Sequence, residues 1–177
     1  MTSRIISKKK LILIDFLILL FCVSADRISK YFVAARLKNH ASFPVFDGIL
    51  EFRYTENDGA AFSLLSGQTS FLILVSFVVF MTGLYFIIKS PGRSKYIISH
   101  VFISIIVSGA VGNTVDRLIY GSVIDFIYIS FIDFPVFNLA DLFSTVAAVG
   151  LVFVLIFYYK EDDLNFLRFK EKKIREL

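Results

Sequence analysis

The chain of 177 residues has a single cysteine, Cys22, so no internal disulfide is possible. Only two histidines accompany it, and no Cys/His cluster offers a metal site. Repeats and low-complexity linkers are missing too, so residues 1–177 read as one domain. Charge is scarce. It is absent or nearly so from residues 11–25 (Asp15 excepted), 69–88, 96–115 and 142–159, each close to the roughly 20 residues a helix needs to span hydrocarbon. What fills the chain instead is apolar: 56% of residues are hydrophobic, 21 are phenylalanine and the mean hydropathy is +0.73, which excludes an ordinary water-soluble domain. The expectation is an all-α membrane protein of four transmembrane helices at about 11–32, 69–88, 96–115 and 137–159, with a charged tail at 160–177. The first span is carried to about Phe32 because 11–25 alone is too short.

KKK at 8–10, the apolar run and VSA at 23–25 imitate a cleavable secretory signal. The three further spans, and the polar residues that follow Ala25, favour a retained first helix. Thirteen of the 19 basic residues fall before span one (Arg4, Lys8 to Lys10), between spans two and three (Lys89, Arg93, Lys95) and after span four (Lys160 onward). The positive-inside rule places all three segments, and hence both termini, in the cytoplasm. The net charge of +4 is this topology signal and needs no nucleic-acid partner. The tail reads as solvated, in preference to a short surface helix.

On that map the polar clusters DRISK (26–30), NDGAAF (57–62), GNTVDR (112–117), VIDF (123–126) and FNLAD (137–141) all lie toward the outer side. Facing lipid, Asp116, Arg117, Asp125 and Asp141 together would cost up to roughly 10 kcal/mol, so they face inward. Asn113, Asp116 and Arg117 share a helix face, as do Asn138 and Asp141, and as do Asp26 and Lys30. Two carboxylates in a poorly hydrated site share a proton, and such a pair hydrolyses amides: one polarises the carbonyl while the other deprotonates water. Several acids compete for the roles. Asp116 adjoins Arg117 and reads as a structural ion pair, Asp133 as an interfacial acid, and Asp125 with Asp141 as the leading pair. A small proton- or cation-coupled transporter is the rival function, since intramembrane acids also build relays. The inner halves of spans two and four offer no ionisable step for one. A non-catalytic scaffold is a third reading.

These five motifs, in order over about residues 11–159, resemble lipoprotein signal peptidase (signal peptidase II), the membrane aspartic endopeptidase of bacteria. The resemblance implies Asp125 and Asp141 as catalytic dyad, Asn57, Asn113, Arg117 and Asn138 as its polar surround, Asp26 and Lys30 as the first-helix acid and base, and Asp116 as a supporting residue paired with Arg117 or a neighbour. It implies a site at the outer face of the cytoplasmic (inner) membrane, with no cofactor. The implied substrate is a prolipoprotein whose cysteine carries diacylglycerol, cut on the N-terminal side of that cysteine. Membrane lipid is the other partner. Apolar faces near Phe62, Phe126 and Phe137 are candidates to hold the acyl chains, with core or lipid packing the stronger reading for each. The chain's own LLFC (19–22) does not fit as a substrate, because Phe21 stands where a small residue is wanted.

In ILEFRYTEN (49–57), Leu50, Phe52 and Tyr54 alternate with Glu51, Arg53 and Thr55, the period of a half-buried strand, and a turn is expected at Asn57-Asp58-Gly59. This matches the small extracytoplasmic β-element that the resemblance implies between helices 1 and 2, with Asn57 and Gly59 supporting the site. Asp15 and His100 stand about one turn inside the cytoplasmic ends of spans one and three. Separate snorkelling to the inner interface is preferred here over a pair across the spans.

Overall fold

The computed structural model describes residues 4–60 and 64–167. Four long helices and a small sheet make the fold: α1 (Lys8–Leu37), β1 (Phe43–Phe46), β2 (Leu50–Asn57), α2 (Thr69–Lys89), α3 (Ile97–Tyr120), β3 (Val123–Ile129) and α4 (Leu139–Phe157). Three of the helical segments, Thr69–Lys89, Ser94–Tyr120 and Leu139–Phe157, are long and apolar enough to cross a membrane. The 30-residue α1 has the length, but Asp15, Asp26, Arg27 and Lys30 interrupt it. Compared with the expected spans, α1 extends further at both ends, α3 continues to Tyr120 and α4 starts at Leu139. Gly121 stops α3: at φ +77° it adopts the left-handed conformation that glycine tolerates, and its N–H bonds the Arg117 carbonyl (3.0 Å).

The bundle is built inside-out relative to a soluble protein. Phe16, Phe77, Val149 and Phe153 point outward, whereas Asp15, Asp26, Lys30, His100, Asp116 and Asn138 are buried. Helix α3 packs against all three other helices. Small residues permit the closest approach: a Cβ on Gly109 would meet Ser144 and come within 2.7 Å of the Ala140 carbonyl, so α3 and α4 touch almost backbone to backbone there.

The sheet departs from expectation. Strand β2 forms where the alternation placed it, but the sheet has three antiparallel strands in the order β1-β2-β3, and the third comes from the α3–α4 connection. VIDFIYI shows no alternation because Val123 to Ile127 are buried throughout, paired with β2 and packed against α1 and α3. The pairing of Thr55 with Asp125, and of Asn57 with Val123, joins the α1–α2 and α3–α4 connections into one body.

Two further expectations are corrected. His100 donates from Nδ1 to Asp15 Oδ2 (2.8 Å), its Nε2 meets Ser90 Oγ (3.0 Å), and Ser104 Oγ donates to Asp15 Oδ1 (2.9 Å). Asp15 and His100 therefore pair across α1 and α3 and do not snorkel; His100 and Ser104 supply the hydrogen bonds that a buried carboxylate requires, and Ser90 holds the far side of the imidazole. The tail is not simply solvated: Glu161–Leu167 forms a 3-10 turn. Its Phe166 packs edge-on to Phe86 and Tyr96, and Asp163 pairs with Lys95 (2.5 Å). Residues 168–177 lie outside the described residues.

Candidate active site

The site grows from the start of α4. Asn138 is the N-cap and Asp141 is the third helical residue: the Asn138 side chain accepts from the Asp141 N–H (3.0 Å), and Asp141 Oδ2 accepts from the Asn138 N–H (3.2 Å). This reciprocal capping box is why FNLAD begins a helix where it does. It leaves the Asn138 Nδ2 free to reach β3, where it donates to Asp125 Oδ1 (2.6 Å). One amide thus connects Asp125 to Asp141 across the junction of sheet and bundle.

The remaining carboxylate oxygens are held in the same way. Asn57 Nδ2, at the end of β2, donates to Asp125 Oδ2 (2.9 Å), and Asn113 Nδ2 of α3 donates to Asp141 Oδ1 (2.8 Å). All four oxygens face neutral N–H donors, and among the described residues neither acid has a salt-bridge partner. Asp26 and Asp116 contrast with them. Lys30 Nζ lies 2.7 Å from both, and Asp116 is also paired with Arg27. The competing acids thereby separate into ion-paired anchors and amide-held acids. Asp133, hydrogen-bonded to the Tyr128 hydroxyl (2.6 Å) at the exposed edge, belongs to neither set.

Burial pushes the Asp125 carboxyl from 3.8 up to about 6; hydrogen bonds from Asn57 and Asn138 and the Lys30 charge oppose the rise, and the Asp141 charge adds to it. The two acids line a cavity of about 490 Å³ that also takes in Asn57, Gly59, Asn113 and Arg117. Its opposite wall is apolar, from Ile129, Ile132, Phe134, Phe137 and Leu142. Phe126 is packed in the core with Val33 and Ile127, which leaves it no free face for a ligand, and Phe62 lies outside the described residues.

Supporting residues fall where their motifs place them, with one exchange. Asp26 Oδ1 accepts from the Ala140 N–H (3.1 Å) and so ties α1 to the first turn of α4. Lys30 also donates to Asn113 Oδ1 (3.1 Å). Asn57 Oδ1 accepts from the Gly59 N–H (2.9 Å), closing the expected turn. Arg117, however, does not pair with Asp116. It donates from Nη2 to the Gly59 carbonyl (2.8 Å), since residues adjacent on a helix diverge by about 100°. The cations on Asp116 are Lys30 and Arg27, and nothing in the spacing of DRISK points to Arg27, because Asp26 and Lys30 define a different face.

An apolar helical bundle with two amide-held carboxylates under a small sheet is the architecture of a membrane-embedded aspartic protease. The pattern of the family described as Signal peptidase (SPase) II matches residues 18–157. A lipoprotein signal peptidase of Streptococcus pyogenes serotype M1 is 33% identical over 156 residues, covering 88% of this chain and 97% of the relative; that of serotype M3 (strain SSI-1) is 32% identical over the same length and shares. Two solved structures described as a bacterial membrane enzyme superpose with TM-scores of 0.77 and 0.75 at 30% identity, covering 98% and 90% of this chain and the whole of each neighbour. The chain belongs to the signal peptidase II family, and with that the transporter reading falls away.

Proposed function

We propose that this chain removes the signal peptide from prolipoproteins whose cysteine carries diacylglycerol, cutting on the N-terminal side of that cysteine, with Asp125 and Asp141 as the catalytic dyad. Four spans, both termini in the cytoplasm and a site at the outer face of the bacterial inner membrane complete the proposal. The lysine and arginine bias supports that orientation.

In the reaction, the ionised dyad acid takes a proton from water while the protonated one hydrogen-bonds the scissile carbonyl. Water adds to the carbonyl carbon, and collapse of the tetrahedral adduct breaks the C–N bond as the amine nitrogen receives a proton. The pair shares one proton because two like charges in a buried site ionise at different pH. Asn57, Asn113 and Asn138 fix the dyad, and Arg117 offers donors to the backbone that a substrate helix exposes on unwinding. The apolar wall from Ile129 to Leu142 suits acyl chains. The dyad activates water by itself and calls for no cofactor.

The observation that carries this reading is Asn138, whose side-chain amide donates to the Asp125 carboxylate and whose backbone N–H donates to the Asp141 carboxylate, the two acids lining one cavity. The test is purified protein in detergent with diacylglyceryl-modified and unmodified precursor, the products mapped by mass spectrometry. A single cut immediately before the modified cysteine, with unmodified precursor left intact, is expected. Equal cutting of both forms, or cutting elsewhere, would defeat the substrate assignment.

A further inference from the structure

Asp116 is fully buried, and its two oxygens are divided between two cations: Oδ1 pairs with Arg27 and Oδ2 with Lys30. Lys30, also buried, has three N–H groups and three partners, Asp26, Asp116 and Asn113. Asn113 in turn presents Oδ1 to Lys30 and Asn138 and Nδ2 to Asp141, so the Lys30 ammonium decides which way that amide faces. An unbroken chain of contacts therefore runs from Arg27 through Asp116, Lys30 and Asn113 to Asp141.

The charges of the cluster point the same way. Among the described residues, α1 contributes Asp26, Arg27 and Lys30, α3 contributes Asp116 and Arg117, β3 contributes Asp125 and α4 contributes Asp141; the Tyr120 ring lies 6.0 Å from the Arg27 guanidinium. The four acids exceed the three cations by one, and a single proton on the dyad brings the set to neutrality. Without Arg27 the deficit becomes two.

We propose that Arg27 is a positioning residue for the reaction: by occupying one oxygen of Asp116 it leaves Lys30 able to orient Asn113 toward Asp141, and as the third cation it sets the pH range in which the dyad holds one proton. The proposal rests on the dyad assignment above. Removing a cation makes each carboxylate harder to ionise, so both limbs of the pH profile move to higher pH, whereas removing the Asp116 charge moves them to lower pH.

The experiment measures kcat/KM against pH on lipidated precursor for wild type, Arg27→Gln, Arg27→Lys, Asp116→Asn and the double variant Arg27→Gln/Asp116→Asn, normalised to folded protein. Arg27→Gln is expected to lower kcat about tenfold with KM little changed and to raise both limbs by about one pH unit. Arg27→Lys restores the limb positions, Asp116→Asn lowers them, and the double variant, which loses one charge of each sign, returns them to wild type. Asp116→Asn, whose limbs must move down, keeps the test decisive should Arg27→Gln alone not fold. A profile of Asp116→Asn or of Arg27→Gln that overlays wild type after scaling would overturn the proposal, as would a double variant whose limbs stay displaced from those of wild type. Asp125→Asn run in parallel separates the two levels: full turnover there overturns the dyad itself, while a dead Asp125→Asn beside immobile limbs overturns the role of Arg27 only.

Discussion

Asn138 is the residue on which the geometry bears most heavily, and replacing it has two separable consequences. Its side chain is buried, caps α4, and donates to Asp125 at 2.6 Å. Asn138→Ala removes the cap, about 1 kcal/mol, and leaves a buried carboxylate oxygen short of a donor, about 1–3 kcal/mol more. Stability should fall by about 2–4 kcal/mol, read as an earlier unfolding transition in detergent. Per folded molecule, kcat should fall about 10²- to 10³-fold, the usual loss when a preorganised hydrogen bond at a reacting group is deleted. Asn138→Asp separates these effects, because aspartate caps helices as well as asparagine does. It should restore the unfolding transition at pH 7 in part, yet it sets an acceptor against Asp125 and adds an acid to the site. Turnover should stay low, and the acid limb of kcat/KM should move to higher pH. If Asn138→Ala cleaved lipidated precursor at more than about a tenth of the wild-type rate with an unchanged transition, Asn138 would not be the link between the two acids.

Asp125, raised from 3.8 to about 6 by burial, destabilises the fold as pH rises: the contribution is absent below about pH 4, grows between about pH 4 and 6 where only the unfolded chain has lost the proton, and levels off above 6 at about 3 kcal/mol. Chemical unfolding at pH 4 and pH 8 should therefore show Asp125→Asn gaining on wild type at the higher pH; a pH-independent difference would refute that. Gly109→Ala places a methyl against Ser144 and the Ala140 carbonyl, which cannot yield, and should cost about 1–3 kcal/mol and displace the first turn of α4, with thermal unfolding and cleavage both impaired. Asp15→Asn breaks the buried contact with His100 far from the dyad; about 3 kcal/mol of stability should go while kcat per folded molecule holds, and equal unfolding curves for the two proteins would deny the pair a stabilising role.

The helices were legible because hydrophobic run length and basic residues carry their information locally, and Thr69–Lys89 falls almost on the expected 69–88. The site was legible through its motifs, whose i, i+3 and i, i+4 spacings placed Asn138 with Asp141 and Asp26 with Lys30. The rest depended on distant residues. β3 shows no period because its residues Val123 to Ile127 are all buried, and its Asp125 meets Asn57 across 68 residues. Arg27 meets Asp116 across 89 residues, and Asp15 meets His100 across 85. Nothing local distinguishes such a charge from one that snorkels, so Arg117 was credited with the contact that Arg27 makes.

The most direct measurement is single-turnover cleavage of a diacylglyceryl-modified precursor by purified wild type, Asp125→Asn and Asp141→Asn, with binding of the same precursor followed in parallel. Both variants should bind with near wild-type affinity and cleave more slowly by about 10³-fold or more. Cleavage at a rate near wild type by either variant would contradict a mechanism in which these two carboxylates act together.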